Sequence, residues 1–138
     1  MLNRRLLKSE SGQIVRRVIL FVVVFAVIIL LVVEIGPLIW GRFTVSNDAE
    51  EVGTGAAQNY RLSHDIPGTV AQAAEKLKFM GYTDEEIVQC QVIFNPQNSP
   101  TKTSVTVTVV KYANTLIIKH INALKKLTKI TSTKTYNI

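Results

Sequence analysis

The stretch VILFVVVFAVIILLVV, from Val18 to Val33, decides the fold of this chain, because sixteen apolar residues follow one another without a polar break. After Glu34 the apolar character resumes and continues to Trp40. As a helix rising about 1.5 Å per residue, residues 18–40 measure roughly 34 Å, against about 30 Å for the hydrocarbon core of a bilayer. The stretch therefore predicts one membrane-spanning helix.

Two other interpretations of this apolar run are less favourable. A core helix of a soluble domain would have to be covered by the 98 residues that follow Trp40. A cleavable secretory signal has an apolar region of about 7–15 residues followed by a small-residue cleavage site. This run is longer, and Trp40-Gly41-Arg42 follows it. We expect a retained anchor.

The charges that flank the span predict its orientation. Five basic residues and only one acid, Glu10, precede it; the basic residues are Arg4, Arg5, Lys8, Arg16 and Arg17. Residues 41–61 contain two basic residues and three acids. Because basic flanks stay in the cytoplasm, we expect a basic cytoplasmic leader (1–17), a transmembrane helix (18–40) and an extracytoplasmic domain (41–138) in the cell membrane.

Composition excludes several classes of function. The chain has 138 residues, a formal charge of +6, one Cys and two His. These numbers exclude a multidomain enzyme, an internal disulfide framework and a cysteine-rich metal site. No hydrolase triad, phosphate-binding glycine loop or metal-binding spacing is present. We therefore expect a protein that is not an enzyme, with no catalytic residue, no metal and no cofactor.

Beyond the span, the pattern predicts that the helix continues to about Leu62. A stripe of small and apolar residues recurs along it at steps of four, three, four and four: Val45, Ala49, Val52, Ala56 and Tyr60. Such a stripe suits close packing against another helix or against the chain's own domain. His64 to Gly68 is expected to end this helix, since Pro-Gly is a strong turn signal.

The rest of the chain predicts a small mixed domain. A second helix is expected over Thr69–Phe79, with Gly81 as its C-cap and a capping box at Thr83–Glu86. Alternating apolar residues predict an antiparallel hairpin with one buried face, formed by Val88–Phe94 and Ser104–Val109. Cys90 is expected on its apolar face as a small hydrophobe rather than in an intermolecular disulfide.

The C-terminal region completes the predicted fold. An amphipathic helix packed on the sheet is expected over residues 116–129, and a third, edge-like strand over residues 129–138. The fold class is therefore α+β: a long N-terminal transmembrane helix continues into a small extracytoplasmic domain with short helices and a two- to three-stranded antiparallel sheet.

Glu34 is the sharpest single feature, because a carboxyl group in a span costs roughly 2.5–3.5 kcal/mol at mid-bilayer. It either reaches the headgroups or becomes neutral, or it pairs with a basic group on a neighbouring helix during assembly. Gly36-Pro37 predicts a kink, or local melting of the helix when helices pack together.

Basic residues dominate the C-terminal region. From Lys102 to Ile138 there are seven Lys and no acid. This segment is a solvated face, or it contacts anionic lipid headgroups or an acidic envelope polymer. Nucleic acid is not an expected partner, because the predicted topology places the segment outside the cytoplasm.

The order of features resembles the TadE-like minor pilins and pseudopilins of tight-adherence (Flp-type) pilus systems. The resemblance rests on Ser11-Gly12-Gln13, on the span ending Val33-Glu34-Ile35-Gly36, on the small-residue helix, and on the Val105–Val109 strand. It implies a pilin-like fold and a role in pilus or secretion-system assembly, with membrane lipid and other pilin-like or platform membrane proteins as partners.

The resemblance also points to processing between Gly12 and Gln13. The family's peptidase would be expected to need a Glu five residues after the glycine, where this chain has Arg17. A cut chain would retain Arg16 and Arg17 beside the span, which suits a membrane-resident assembly factor better than a filament subunit.

The leading hypothesis is thus a pilin-like assembly component that acts by helix packing and forms homo- or hetero-oligomers through its N-terminal helix. Its expected packing residues are Glu34, Gly36, Pro37, Ala49, Val52 and Ala56. The alternative is a membrane-tethered basic module that binds an anionic envelope ligand or polymer.

Overall fold

The computed structural model describes residues 2–138, with side chains from residue 11 onward. Three α-helices are followed by three β-strands. Their order is α1 (Leu2–Ser63), α2 (Ile66–Phe79), α3 (Asp84–Gln89), β1 (Gln91–Asn95), β2 (Ser104–Tyr112) and β3 (Lys129–Asn137). Two short 3-10 helices, Ile118–His120 and Lys125–Thr128, lie between β2 and β3. The sheet is antiparallel in the order β1-β2-β3, which confirms the α+β class.

Helix α1 is divided into a bare part and a covered part. Every side chain from Ser11 to Val33 is exposed, and Ser11–Ser63 is long and apolar enough, by length and composition, to cross a membrane. From Val45 to Tyr60 one face of the same helix is buried against the sheet and α2. One continuous helix therefore carries both the apolar segment and one wall of the domain core.

The stripe on α1 packs against the chain's own domain. Val45 and Ala49 are fully buried, and Val52, Ala56 and Tyr60 are nearly so. The sequence left two partners open for this stripe, another helix or the chain's own domain. In the structure the stripe packs against the sheet and α2 of the chain's own domain.

The opposite wall of the core is one face of the sheet. Val105, Val107 and Val109 of β2 are buried, and Phe94 of β1 and Ile130 of β3 lie beside them. The threonines between these valines face away, where Thr106 and Thr108 form hydroxyl hydrogen bonds with β3. The predicted hairpin with one buried face and the predicted third strand are both confirmed.

The turn between α1 and α2 differs from the expectation. Helix α1 ends at Ser63, and His64 adopts a left-handed φ of 54°. Pro67 then lies in the first turn of α2, which begins at Ile66 rather than at Thr69. The reason is that the first turn of a helix has N–H groups without partners, so a proline fits there.

The link from α2 to the sheet was predicted more accurately. The C-cap of α2 is Met80, and the predicted Gly81 follows it with a φ of +93°. Thr83 and Glu86 form a reciprocal capping box that opens α3. Val88 was expected on a strand, which is wrong: it lies in α3 and is exposed. The capping box starts a helix that lasts until Gln89, so β1 begins only at Gln91.

The amphipathic helix expected over residues 116–129 is also wrong. Two 3-10 helices and turns occupy this region, and its large apolar side chains are exposed instead of lying on the sheet. Tyr112 and Lys129 are direct partners in the β2–β3 register, so the connection must return to its starting point. In addition, the backbone N–H groups of residues 116–118 bond to a side chain of α1.

A hydrogen bond joins α1 to the segment before α3. The Tyr82 hydroxyl donates to Asp48 Oδ2 at 2.7 Å, and the Lys111 ammonium lies 4.8 Å from the centre of the Tyr82 ring. Burial first, and the hydrogen bond to Asp48 second, raise the pKa of Tyr82 well above its usual value.

This raised pKa predicts alkaline destabilisation. Above about pH 10 an unfolded tyrosine releases a proton that folded Tyr82 retains, so folding stability falls by up to about 1.4 kcal/mol per pH unit for this group. We expect the melting temperature of the full chain in detergent to drop as pH rises past this value. Y82F should show a shallower drop; a drop of equal slope in Y82F would contradict the assignment.

Candidate functional site

Glu34 lies on the same face of α1 as the buried stripe. Leu38 and Gly41 continue this face at steps of four and three, and Val45 follows after four more residues. The Glu34 side chain is only 6% exposed, although its neighbours Val33 and Ile35 are exposed. The segment that covers it is residues 113–128, which we call the Glu34 loop.

The carboxylate of Glu34 is held by three consecutive backbone donors of this loop. The N–H groups of Leu116 and Ile117 donate to Oε1 at 2.7 and 2.8 Å, and the N–H of Ile118 donates to Oε2 at 3.1 Å. Thr115, which is fully buried, accepts a hydrogen bond from the N–H of Lys119 through its hydroxyl. A side chain of the apolar helix thus fixes the start of a loop more than eighty residues further along the chain.

Hydrogen bonds explain how a carboxylate can be buried here. Hydrogen bonds to a charged group are stronger than those between neutral groups, and three of them offset part of the cost of removing this carboxylate from water. The same contact stabilises the loop, because the N–H groups at the start of a 3-10 helix have no acceptor within that helix. Neither of the two interpretations drawn from the sequence anticipated this partner.

The exposed surface of the Glu34 loop combines large apolar residues with lysines. Five apolar side chains are exposed: Leu116, Ile117, Ile121, Leu124 and Leu127. Three lysines of the loop, Lys119, Lys125 and Lys126, and the adjoining Lys129 are exposed among them. This surface adjoins the bare apolar part of α1, because Glu34 holds the loop there.

The other predicted packing residues fall into two groups. Gly36 and Pro37 are half-buried near Glu34, and α1 continues through Pro37. A methyl group at Gly36 would meet no atom within 4 Å, so the chain's own fold does not require glycine there. Ala49, Val52 and Ala56 lie in the domain core, on the covered part of α1.

The predicted processing position lies within α1. Gly12 and Gln13 are exposed helical residues, and a methyl group at Gly12 would also meet no atom within 4 Å. The structure does not bring them near Glu34, since they precede it by about 32 Å of helix.

Two glycines that the sequence did not single out for packing let β3 approach α1. A methyl group at Gly41 would overlap the Ile130 side chain, and one at Gly53 would overlap the Tyr136 ring. Both glycines face β3, which makes extensive contact with α1. Their spacing in register with the buried stripe was the available signal, but the sequence alone does not show which strand lies opposite.

Cys90 was expected on a strand, but it lies at the C-cap of α3, where it is half-buried. Its thiol donates to the carbonyl of Glu86 at 3.2 Å, and the N–H of Val110 donates to its sulfur at 3.3 Å. Burial raises the pKa of the Cys90 thiol. Among the side chains described, from Ser11 to Ile138, no group of three or more His, Cys, Asp or Glu could hold a metal ion.

No family model, curated protein or solved structure matches this chain.

Proposed function

We propose that this protein is a single-pass, pilin-like (TadE-like) component of a pilus or secretion-system assembly, and that it acts by helix packing. Its N-terminus lies in the cytoplasm and its α+β domain outside. The observation that carries the proposal is the division of α1 into a bare apolar part and a part enclosed by the domain.

The bare part supports a role in lateral contacts. Between Val18 and Val33 every residue is apolar, and every side chain is exposed in the described chain. A helix that is apolar all round needs lipid or neighbouring helices around it. Small residues such as Ala26 and Gly36 offer positions where a neighbouring backbone can approach closely.

The covered part restricts where such contacts occur. Ala49, Val52 and Ala56 already pack inside the domain, so a bulky residue at Ala56 would disturb the chain's own core. Contacts with other subunits therefore belong to the segment before Glu34 and to the faces of α1 turned away from the sheet.

A second candidate function is the membrane-tethered binding module, and the distribution of lysines favours it. Lys102 donates to loop carbonyls, Lys111 lies over Tyr82, and Lys134 pairs with Glu50. The other four of the seven lysines between Lys102 and Ile138 lie in or next to the Glu34 loop. An anionic ligand would therefore meet four exposed lysines close together in the chain there.

Single-cysteine scanning of the span tests the assembly proposal. In a C90A background, full-length variants with one cysteine at each position from Val18 to Val33 are oxidised in membranes. We expect disulfide-linked species at positions that recur about every 3.6 residues, together with co-purification of other spanning pilus proteins. The matched control is L62C, whose site is 87% exposed at the far end of α1.

Three outcomes separate the candidates. Cross-linking no higher than in L62C, with association unaffected when the span is exchanged for an unrelated one, would overturn the assembly proposal. Salt-sensitive binding of an acidic polymer by the full chain, lost when Lys125, Lys126 and Lys129 become Gln, would then favour the binding module. A full-length chain that stays in solution without detergent would exclude both.

A further inference from the structure

We propose that the Glu34 loop is a second membrane contact: its apolar side chains insert into the bilayer leaflet beside α1, and its lysines contact anionic headgroups. This inference rests on the proposed function only in requiring that α1 spans a bilayer. The partner of this exposed loop surface is lipid.

The position of the loop along α1 is the first support. Its backbone hydrogen-bonds directly to Glu34, so it lies at the level of that residue. Trp40 and Arg42, the first aromatic and the first charged residue after Glu34, follow six and eight residues later, or about 9 and 12 Å further along the helix. If Trp40 marks the interface, the start of the loop lies on the apolar side of it.

The exposed apolar residues are the second support. Leu116 and Leu127 are 58% and 59% exposed, and Ile117, Ile121 and Leu124 are about as exposed as neighbouring α1 side chains such as Val33 and Ile35. A short loop rarely presents so many large apolar side chains to water. Lipid covers this surface by continuity, because lipid already surrounds the adjoining helix.

The charges provide the third support. Lys119, Lys125, Lys126 and Lys129 are interspersed with the apolar residues, and no acidic residue lies between Lys102 and Ile138. Long lysine side chains can leave their apolar stems in the leaflet and extend the ammonium group to the headgroups. Lysine side chains near an anionic surface are attracted to it.

The backbone of the loop provides the fourth support. Backbone N–H groups that leave water for the edge of a bilayer need hydrogen-bond acceptors from the protein, because lipid chains offer none. The N–H groups of Leu116, Ile117 and Ile118 all bond to Glu34, and that of Lys119 bonds to the Thr115 hydroxyl. The part of the loop nearest the span is thus provided with acceptors from within the chain.

Fluorescence quenching by brominated lipids tests the inference. Trp40 is the single Trp of the chain, so W40F supplies a background without Trp. Full-length W40F variants that also carry L116W, L127W or L62W are reconstituted into phosphatidylcholine vesicles containing a lipid brominated high in its acyl chains. All three sites are exposed, so these substitutions remove little packing.

We expect Trp at 116 and at 127 to be quenched by about half or more, as strongly as native Trp40 at an interface, and Trp at 62 by less than a tenth of that. Adding phosphatidylglycerol should increase quenching at 127, and this increase should disappear when Lys119, Lys125, Lys126 and Lys129 become Gln. L116W and L127W that both remain as unquenched as L62W, while wild-type Trp40 is quenched, would overturn the loop insertion and leave the span intact. An unquenched wild-type Trp40 would instead remove the span on which both proposals rest.

Discussion

Replacing Glu34 with leucine should release the Glu34 loop from α1 while the sheet stays folded. E34L removes the acceptor of three backbone N–H groups at once, and each buried donor left without a partner costs about 1–3 kcal/mol. We expect hydrogen exchange at residues 116–118 to accelerate by about a hundredfold or more. The measurement uses the full chain in lipid nanodiscs, with the amide of Val107 in the central strand as an internal reference.

A conservative control variant and a second measurement test whether this result is specific to Glu34. E34Q keeps one carbonyl oxygen but presents an amide donor towards the Ile118 N–H, so exchange should be intermediate between wild type and E34L. Cleavage by trypsin after Lys119, Lys125 or Lys126 should become faster in the same order, from wild type through E34Q to E34L. An E34L variant with wild-type exchange at 116–118 would show that something other than Glu34 holds the loop.

The second large effect concerns a pair of nearby glycines whose substitution should act in opposite directions. In a helix, Gly→Ala alone stabilises by about 0.5–1 kcal/mol. At Gly55 the added methyl group would be in ordinary contact at 3.6 Å from Lys76 Nζ, so G55A should raise the melting temperature of the full chain. At Gly53 the methyl group would overlap the Tyr136 ring, and G53A should lose about 1–3 kcal/mol of folding stability.

The contrast can be checked by thermal unfolding in detergent followed by circular dichroism. Y136A makes room for the methyl group, so G53A should cost less in a Y136A background than in wild type. Equal shifts of the same sign for G53A and G55A would contradict the close approach of β3 to α1.

Local signals in the sequence were sufficient for most of the elements. The capping box at Thr83 and the alternation of Val105, Val107 and Val109 each act within a few residues, and each appears in the structure as expected. Gly81 marks the end of α2 as expected, one residue after the C-cap. The buried stripe of α1 followed in the same way from helical periodicity.

Long-range contacts were what the sequence could not supply. The amphipathic pattern over residues 116–129 resembles a helix, but the carboxylate of Glu34 and the closed β2–β3 register impose a looped path. Nothing near residue 116 indicates an acceptor 82 positions earlier. Helical phase places Glu34 and Val45 on the same face of α1, but this phase does not show what covers either residue.

The unbroken course of α1 has a mechanical consequence. Its 62 residues make a rod about 93 Å long, and the sheet is fastened to the last third of that rod. Because the helix continues through Pro37 without a break, a rotation or tilt imposed at one end is transmitted along the helix to the other, modified only by the bend that a proline introduces. Proteins that contact the first third of α1 would therefore set the orientation of the α+β domain.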